Sequence, residues 1–189
     1  GSTHRRSAAN RGVAYWNDGR GGAPRIVYGT ADGRLIELDA ATGKPCADFG
    51  DNGVVNLRAG VADAWPYAPY YLASPPAIYR NLVITGSSLQ EDPSKGPGGV
   101  VRAFDVRTGK PVWTFHTVPQ PGEFGHDTWK GDSWKDRSGA NVWSLMSVDE
   151  KRGLVFLPLG SATYDFYGAD RQGDNLFANS LVALDANTG

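Results

Sequence analysis

The chain is nearly without sulfur: of its 189 residues one is cysteine, Cys46, and one is methionine. A lone cysteine excludes a disulfide within the chain and any zinc site built on cysteines, and Cys46 is expected to be a small buried hydrophobe. Neither sign of charge is in excess, since 19 Lys and Arg against 20 Asp and Glu leave a formal net charge of −1. That gives no electrostatic footprint for nucleic acid or an anionic membrane. No run approaches the roughly 18 apolar residues of a membrane-crossing helix, and the opening GSTHRRSAAN lacks the apolar stretch of a secretory signal. The chain does not begin with Met, and it stops at LVALDANTG, inside a pattern already seen twice. Both ends are therefore expected to be cuts within a longer protein, with any targeting or membrane segment outside these residues.

What the chain has in quantity is glycine and proline, 25 and 12, spread along its length, which signals many tight turns. With 40% hydrophobic residues to fill a core, the composition favours a β-rich fold of one domain. Self-comparison says more. RLIELDAATGKP at 34–45 returns as VVRAFDVRTGKPVW at 100–113 and as SLVALDANTG at 180–189. In each copy an alternating apolar strand runs into Asp-x-x-Thr-Gly, anchored by Asp39, Asp105 or Asp185. Asp and Thr can bond local backbone there, and Gly supplies the positive φ of a tight turn. Short β-branched runs precede each copy (RIVYGT, LVITGSS, LVFLPLGS), and GVAYW, SPPAIY and VWSLMSV come before those.

Each unit thus reads as a meander of three or four antiparallel strands, and the array as an all-β, β-propeller segment. The repeat aspartates stand 66 and 80 residues apart, more than a minimal blade needs, and the excess falls in Gly/Pro/aromatic insertions. The expected layout is blade one at about 11–57, blade two at about 70–118, an inter-blade insertion at about 117–140, and a truncated blade three at about 140–189. A small β-sandwich of independent hairpins is the alternative, but sandwiches do not repeat a turn motif this faithfully.

NRGVAYW (10–16), DGRLIELDAATGKPCADFGDNG (32–53), SPPAIYRNLVITGSS (74–88), FDVRTGKPVWTF (104–115) and FGHDTWKGDSWKDRSGANVWSLMSVDEKRGLVFLPLGSATYDFYG (124–168) occur in one order. This ordered set resembles the pyrroloquinoline quinone (PQQ)-dependent dehydrogenases, which are eight-bladed propellers, and within them the quinoprotein glucose dehydrogenase branch. The turn motif alone is weakly specific, because non-catalytic propellers of bacterial envelopes share it; such a scaffold is the rival reading. A lectin-like sugar-binding propeller is a third.

The resemblance implies a set of site residues. Arg11 matches the cofactor-binding arginine, a residue type that can meet a carboxylate with two parallel hydrogen bonds. Trp143 matches the tryptophan on which the cofactor ring lies. Ser88 and Ala73 stand where relatives touch the cofactor, and only Ser88 has a polar side chain to do so. Glu91 falls at a carboxylate that binds Ca²⁺, a hard cation taking oxygen ligands, with Asp92 as the adjacent fallback. Two departures stand out. Ser161 occupies the place of an Asn ligand in alcohol-oxidising members, and the vicinal cysteines that cap the cofactor there are missing from HRRSAANRG. His4, Arg5 or Arg6 could contribute to a cap instead.

The segment 117–140 is expected to lay Phe124, Trp129 and Trp134 over a neighbouring blade or the cofactor mouth. His126 and Asp127 are expected to brace that loop rather than to catalyse. Tyr164, Asp165 and Tyr167 are expected to border the substrate mouth. The activity implied is oxidation of a sugar or alcohol hydroxyl, glucose first, with electrons passing to ubiquinone or another respiratory acceptor in the periplasm. No residue here matches the family's catalytic base, which is expected beyond residue 189, so these residues alone are expected to be inactive.

Overall fold

The computed structural model describes residues 10–189, so His4, Arg5 and Arg6 lie outside the described residues. Helical structure among them is one 3₁₀ turn, His126–Thr128, and no helix is long and apolar enough to cross a membrane. Strands β1 (Ala14–Trp16), β2 (Arg25–Gly29), β3 (Arg34–Asp39) and β4 (Val54–Asn56) form a first sheet in that order. A second sheet has the order β10–β9–β7–β6, from β6 (Ala77–Tyr79), β7 (Leu82–Thr85), β9 (Val101–Asp105) and β10 (Pro111–Phe115). The third consists of β11 (Ser147–Asp149), β12 (Leu154–Pro158) and β13 (Leu181–Asp185). It has three strands where the first two have four. The short strands β5 (Tyr70–Tyr71) and β8 (Ser88–Leu89) pair beside the second sheet. All pairings are antiparallel, so the chain is the all-β meander array that the repeats call for.

The repeated aspartates hold the turns. Asp39 Oδ1 accepts hydrogen bonds from Thr42 N and Thr42 Oγ1, both at 2.7 Å, and Gly43 turns the chain at φ 70°. Asp105 repeats this with Thr108 N at 2.8 Å and Thr108 Oγ1 at 2.9 Å, and Gly109 also stands at φ 70°. In the third copy Asp185 Oδ1 takes Asn187 N at 2.8 Å and Thr188 N at 3.2 Å. The Thr42 bonds hold the Asp39 carboxyl below the usual carboxylate range, and the Asn187 amide does the same for Asp185. An aspartate is chosen at these positions because one carboxylate can satisfy several amides that the tight turn strips of ladder partners.

The period-2 alternation of the second sheet explains how the blades stack. Val83 and Phe104 point into a core shared with Trp16, Val27, Leu35 and Phe49 of the first sheet. Their neighbours Ile84 and Ala103 point the other way, into a core with Val155, Leu157 and Ala186 of the third. A strand pair buried on both faces reads as a continuous apolar run, and LVIT does. Polar tethers fix the stacking. Trp16 Nε1 donates to Arg80 O at 2.8 Å, Gly50 N to Thr108 O at 2.9 Å, and Trp113 Nε1 to Ala186 O at 3.2 Å. The turns of sheets two and three are thus each held from the preceding sheet.

Cys46 is half-buried against the first core, and burial pushes its thiol up to about 11. Glu37, next to it on β3, is fully buried. Its Oε1 pairs with Arg25, which also reaches Asp48 at 2.6 Å and the carbonyl of Arg107 at 3.3 Å, while Oε2 has no partner. Burial outweighs the attraction of Arg25 and pushes the Glu37 carboxyl from its ordinary 4.5 up to about 7. Because the folded value lies above the unfolded one, the stability contributed by protonated Glu37 is fully present below pH 4.5 and is lost as pH rises through 7. Thermal unfolding of the chain and its Glu37→Gln variant should therefore diverge between those pH values, the wild type losing ground as pH rises. Parallel curves across that range would show that Glu37 ionises without cost.

Candidate functional site

Antiparallel meanders bring the start of each sheet's first strand and the end of its second to one end of the stack. Those connections carry the residues singled out in the sequence. Arg11 precedes β1, Ala73 precedes β6 and Trp143 precedes β11; Ser88 and Glu91 follow β7; Ser161 and Asp165 follow β12. All of them line one cleft of about 390 Å³, together with Tyr71, Gln90, Asn141 and Thr163. Asp92, the fallback carboxylate, is not on its wall.

The cleft is stitched from backbone. Segment 139–143 runs between the two loops that follow β7 and β12. Ser87 N donates to Val142 O at 2.9 Å and Asn141 Nδ2 to Ser87 O at 2.7 Å, while Gly160 N reaches Asn141 O at 3.1 Å and Ala140 N reaches Ser161 O at 2.6 Å. The entry before β6 adds Ser74 Oγ, which donates to Trp143 O at 2.8 Å, and Arg11 N donates to Ala73 O at 2.9 Å. Trp143 is thereby held at its main chain while its side chain stays 51% exposed. An indole held open to solvent offers a flat apolar face on which a planar ring can stack. The Arg11 guanidinium lies 5.6 Å from its ring centroid.

Opposite these groups the donor set is all oxygen. Ser88 is buried, Glu91 and Asp165 are exposed carboxylates, and Ser161 Oγ lies 3.4 Å from Arg171 Nη2. Burial, and then the charge of Glu91, push the Asp165 carboxyl up from its usual range, against the pull of Arg171. A carboxylate disfavoured by burial and a neighbouring charge, as Asp165 is, is what a divalent cation relieves. Among the described residues no group of three His, Cys, Asp or Glu could hold a metal by itself. A cation here would need oxygens from a bound organic group or from water to complete its shell.

The insertion 117–140 takes the first of the two courses expected of it, packing on a neighbouring blade and not over the cleft. Phe124, Trp129 and Trp134 are all absent from the cleft wall. Trp129 is buried with Val118, Ala140, Ala162 and Ala178 in a third small core against which Trp134 packs, and its Nε1 donates to Leu176 O. The loop closes on blade three instead, because its own apolar residues supply a core there. Phe124 stands exposed, 6.2 Å from the Phe177 ring. His126 Nδ1 bonds Pro119 O at 2.9 Å and packs edge-on against Trp134, a loop brace. Tyr164 and Tyr167 form an edge-on pair beside Asp165, outside the cleft wall.

Sequence reasoning missed Tyr71, Gln90, Asn141, Thr163 and Arg171. Asn141 had a signal: in ANVW it stands two residues from Trp143, the spacing that puts alternate side chains of extended backbone on one side. Gln90, whose Nε2 binds Pro93 O at 2.9 Å and Lys95 O at 2.7 Å, had none, because its partners are set by the path of the loop.

Stacked antiparallel blades, with a polar cleft at one end of the stack, define a β-propeller segment. The family model for "PQQ: Glucose/ethanol/alcohol dehydrogenase, beta-propeller domain" matches residues 2–189, and the chain belongs to that family. It is 40% identical over 169 residues to the quinate/shikimate dehydrogenase (quinone) of Acinetobacter baylyi, covering 88% of this chain and 20% of the relative. It is 39% identical over 170 residues to the quinoprotein glucose dehydrogenase of Gluconobacter oxydans, covering 88% of this chain and 21% of that protein. Among solved structures, the quinohemoprotein alcohol dehydrogenase of Comamonas testosteroni superposes with a TM-score of 0.77 at 29% identity, over 96% of this chain and 26% of that one. The chain thus spans about a fifth to a quarter of the length of these relatives.

Gly86 tests the stitching. A Cβ there would meet Val142 O at 2.2 Å, a main-chain atom that cannot step aside. Gly86→Ala should destabilise the chain by roughly 1–3 kcal/mol in denaturant unfolding, the usual cost of overpacking. An unchanged midpoint would mean that segment 139–143 is not clamped against the loop after β7.

Proposed function

We propose that the whole protein is a PQQ-dependent dehydrogenase that oxidises a hydroxyl of a sugar or alcohol, with glucose as the first substrate to test. The observation that carries this reading is the convergence of Arg11, Ser88, Glu91 and Trp143, drawn from three separate connections, on one cleft. The donor chemistry fits the cofactor and its cation: a guanidinium for a carboxylate, an open indole for a planar ring, and two carboxylates with hydroxyls for a hard cation. A non-catalytic propeller scaffold has no need of that combination.

When bound, the quinone supplies the two-electron acceptor and Ca²⁺ the polarising charge. The chain's own residues do the holding. Trp143 would cover one face of the ring and exclude water from it. Arg11, exposed on a main chain fixed to Ala73 O, would meet a ring carboxylate. Glu91 and Asp165 would supply carboxylate oxygens to the cation. Ser161 offers a hydroxyl where alcohol-oxidising relatives have an Asn, and that hydroxyl donates to Ala162 O at 3.1 Å, which leaves its lone pairs for a cation. No carboxylate of this chain is assigned as the base that takes the substrate's hydroxyl proton.

The identities to glucose dehydrogenases support glucose, and the A. baylyi relative supports a polyhydroxy acid such as quinate as the competing donor. That relative is a quinone-linked dehydrogenase, which supports ubiquinone or another respiratory quinone as the electron sink, and with it a periplasmic site of action. Dye reduction by the full-length protein with PQQ and Ca²⁺ should proceed with glucose; turnover with quinate alone would replace glucose as the substrate.

In that protein Trp143→Ala should weaken PQQ binding by roughly 1–3 kcal/mol, because it removes most of one stacking face, while folding is kept since the side chain is half exposed. A PQQ titration with unchanged affinity would remove Trp143 from the floor. Glu91→Gln should raise the Ca²⁺ concentration needed for half-maximal activity with little change in unfolding temperature, as it takes one anionic oxygen from an exposed position. A wild-type Ca²⁺ dependence would move the ligand elsewhere.

A further inference from the structure

The loop after β12 carries Ser161 and Asp165 to the cleft, and two arginines that are not on the cleft wall hold that loop in place. Arg137 is buried. It donates to Thr163 O at 2.6 Å and pairs with Asp170 at 2.9 Å, so its charge is met within the loop. Arg171 is different. Its Nη1 donates to Asn175 Oδ1 at 2.9 Å, and its Nη2 reaches Tyr164 O at 3.3 Å and Ser161 Oγ at 3.4 Å. These acceptors are all neutral. No carboxylate among the described residues forms an ion pair with Arg171, and residues 1–9 contain no Asp or Glu. Its anchor, Asn175, is buried and donates from its own N to Thr128 O at 3.2 Å, which ties the arrangement to the insertion. Gly168 lies against the guanidinium, since a Cβ there would stand 3.6 Å from Arg171 Cζ. Asp165 is exposed and its carboxylate accepts no hydrogen bond among the described residues, so its place depends on the main chain beside it.

A half-buried guanidinium with only neutral partners is a costly brace, because an uncharged amide could make such bonds with less to desolvate. We propose that Arg171 is a positioning residue for the cation: its fork fixes the turn from Ser161 to Asp165, so that both residues stand on the cleft wall before the cation arrives. The inference rests on the reading of this cleft as the site of the quinone and its cation. A planar fork suits the task, since one nitrogen serves Asn175 while the other serves Tyr164 and Ser161; the single ammonium of a lysine cannot span them. The two effects of Arg171 have opposite signs. Its charge, which acts on Asp165, repels a cation held there, whereas its fork pre-organises the groups that would hold one.

The test is calorimetric titration of Ca²⁺ into the full-length protein at saturating PQQ, for the wild type, Arg171→Lys and Arg171→Gln, with PQQ affinity in the absence of Ca²⁺ measured alongside. Arg171→Lys keeps the charge and the aliphatic stem but loses the fork; Arg171→Gln loses both. Each variant should bind Ca²⁺ about ten-fold more weakly, the lower end of what a lost outer partner costs a metal site. PQQ affinity should stay at the wild-type value, because Arg11 and Trp143 come from other connections. Arg171→Lys carries the test if the neutral variant unfolds. A role through charge alone gives the reverse pattern, wild-type Ca²⁺ affinity in Arg171→Lys and tighter binding in Arg171→Gln, and either result overturns the proposal. Equal losses of PQQ and Ca²⁺ affinity overturn it as well, since they mark a general loosening of the cleft. A wild type that takes up no Ca²⁺ removes the cation reading and the proposal together. Ca²⁺ binding that Glu91→Gln weakens and both Arg171 variants leave unchanged removes the positioning role alone.

Discussion

The stack depends on the turn that follows the third strand of each sheet. Asp39, Asp105 and Asp185 each gather the amides of their own turn, and the next blade's turn is where the preceding sheet takes hold. Gly50 N binds the turn at Thr108, and Trp113 Nε1 binds the turn at Ala186. Gly109 shows how close this docking is, since a Cβ there would come within 2.8 Å of Gly50 N. Because the tethers are directional, blades can stack only with their ends in register. The apolar faces between them supply most of the stabilising area without fixing its alignment.

Register at the stack has a direct consequence at its end. The cleft residues come from several connections, and a slip of one blade would separate Arg11 from Trp143 or Trp143 from Ser88. The main-chain bonds between residues 86–88, 139–143 and 160–163 carry the alignment from the sheets up to the loops. The side chains they support are then free to be chemically costly. Trp143 stays open to solvent, and burial together with the charge of Glu91 works against ionisation of Asp165.

Much of this was legible in the sequence because the repeats are local. Asp-x-x-Thr-Gly writes its own turn, and alternation in RLIELD and LVIT marks strands with one or two buried faces. The candidate site was legible only through resemblance: nothing in the spacing of Arg11, Glu91 and Trp143 says that they meet, since their meeting is set by blade stacking. The insertion was hardest. Trp129 and Trp134 read as aromatic surface for a neighbouring blade or for the cofactor mouth, and the choice was not legible because Ala162 and Ala178, the small residues against which they pack, carry no sequence signal as a socket. Arg171 reads as one more charged residue in a loop, and only its setting, with neutral partners at Ser161, Tyr164 and Asn175, marks it out.

The central claim is that this one cleft holds the quinone and its cation. A crystal structure of the full-length protein with PQQ and Ca²⁺ tests it most directly. The account predicts the ring system flat against the Trp143 indole, a ring carboxylate on Arg11, and Ca²⁺ about 2.3–2.6 Å from a Glu91 oxygen. A cofactor bound away from Trp143, or a Ca²⁺ ion whose protein ligands include neither Glu91 nor Asp165, would contradict it.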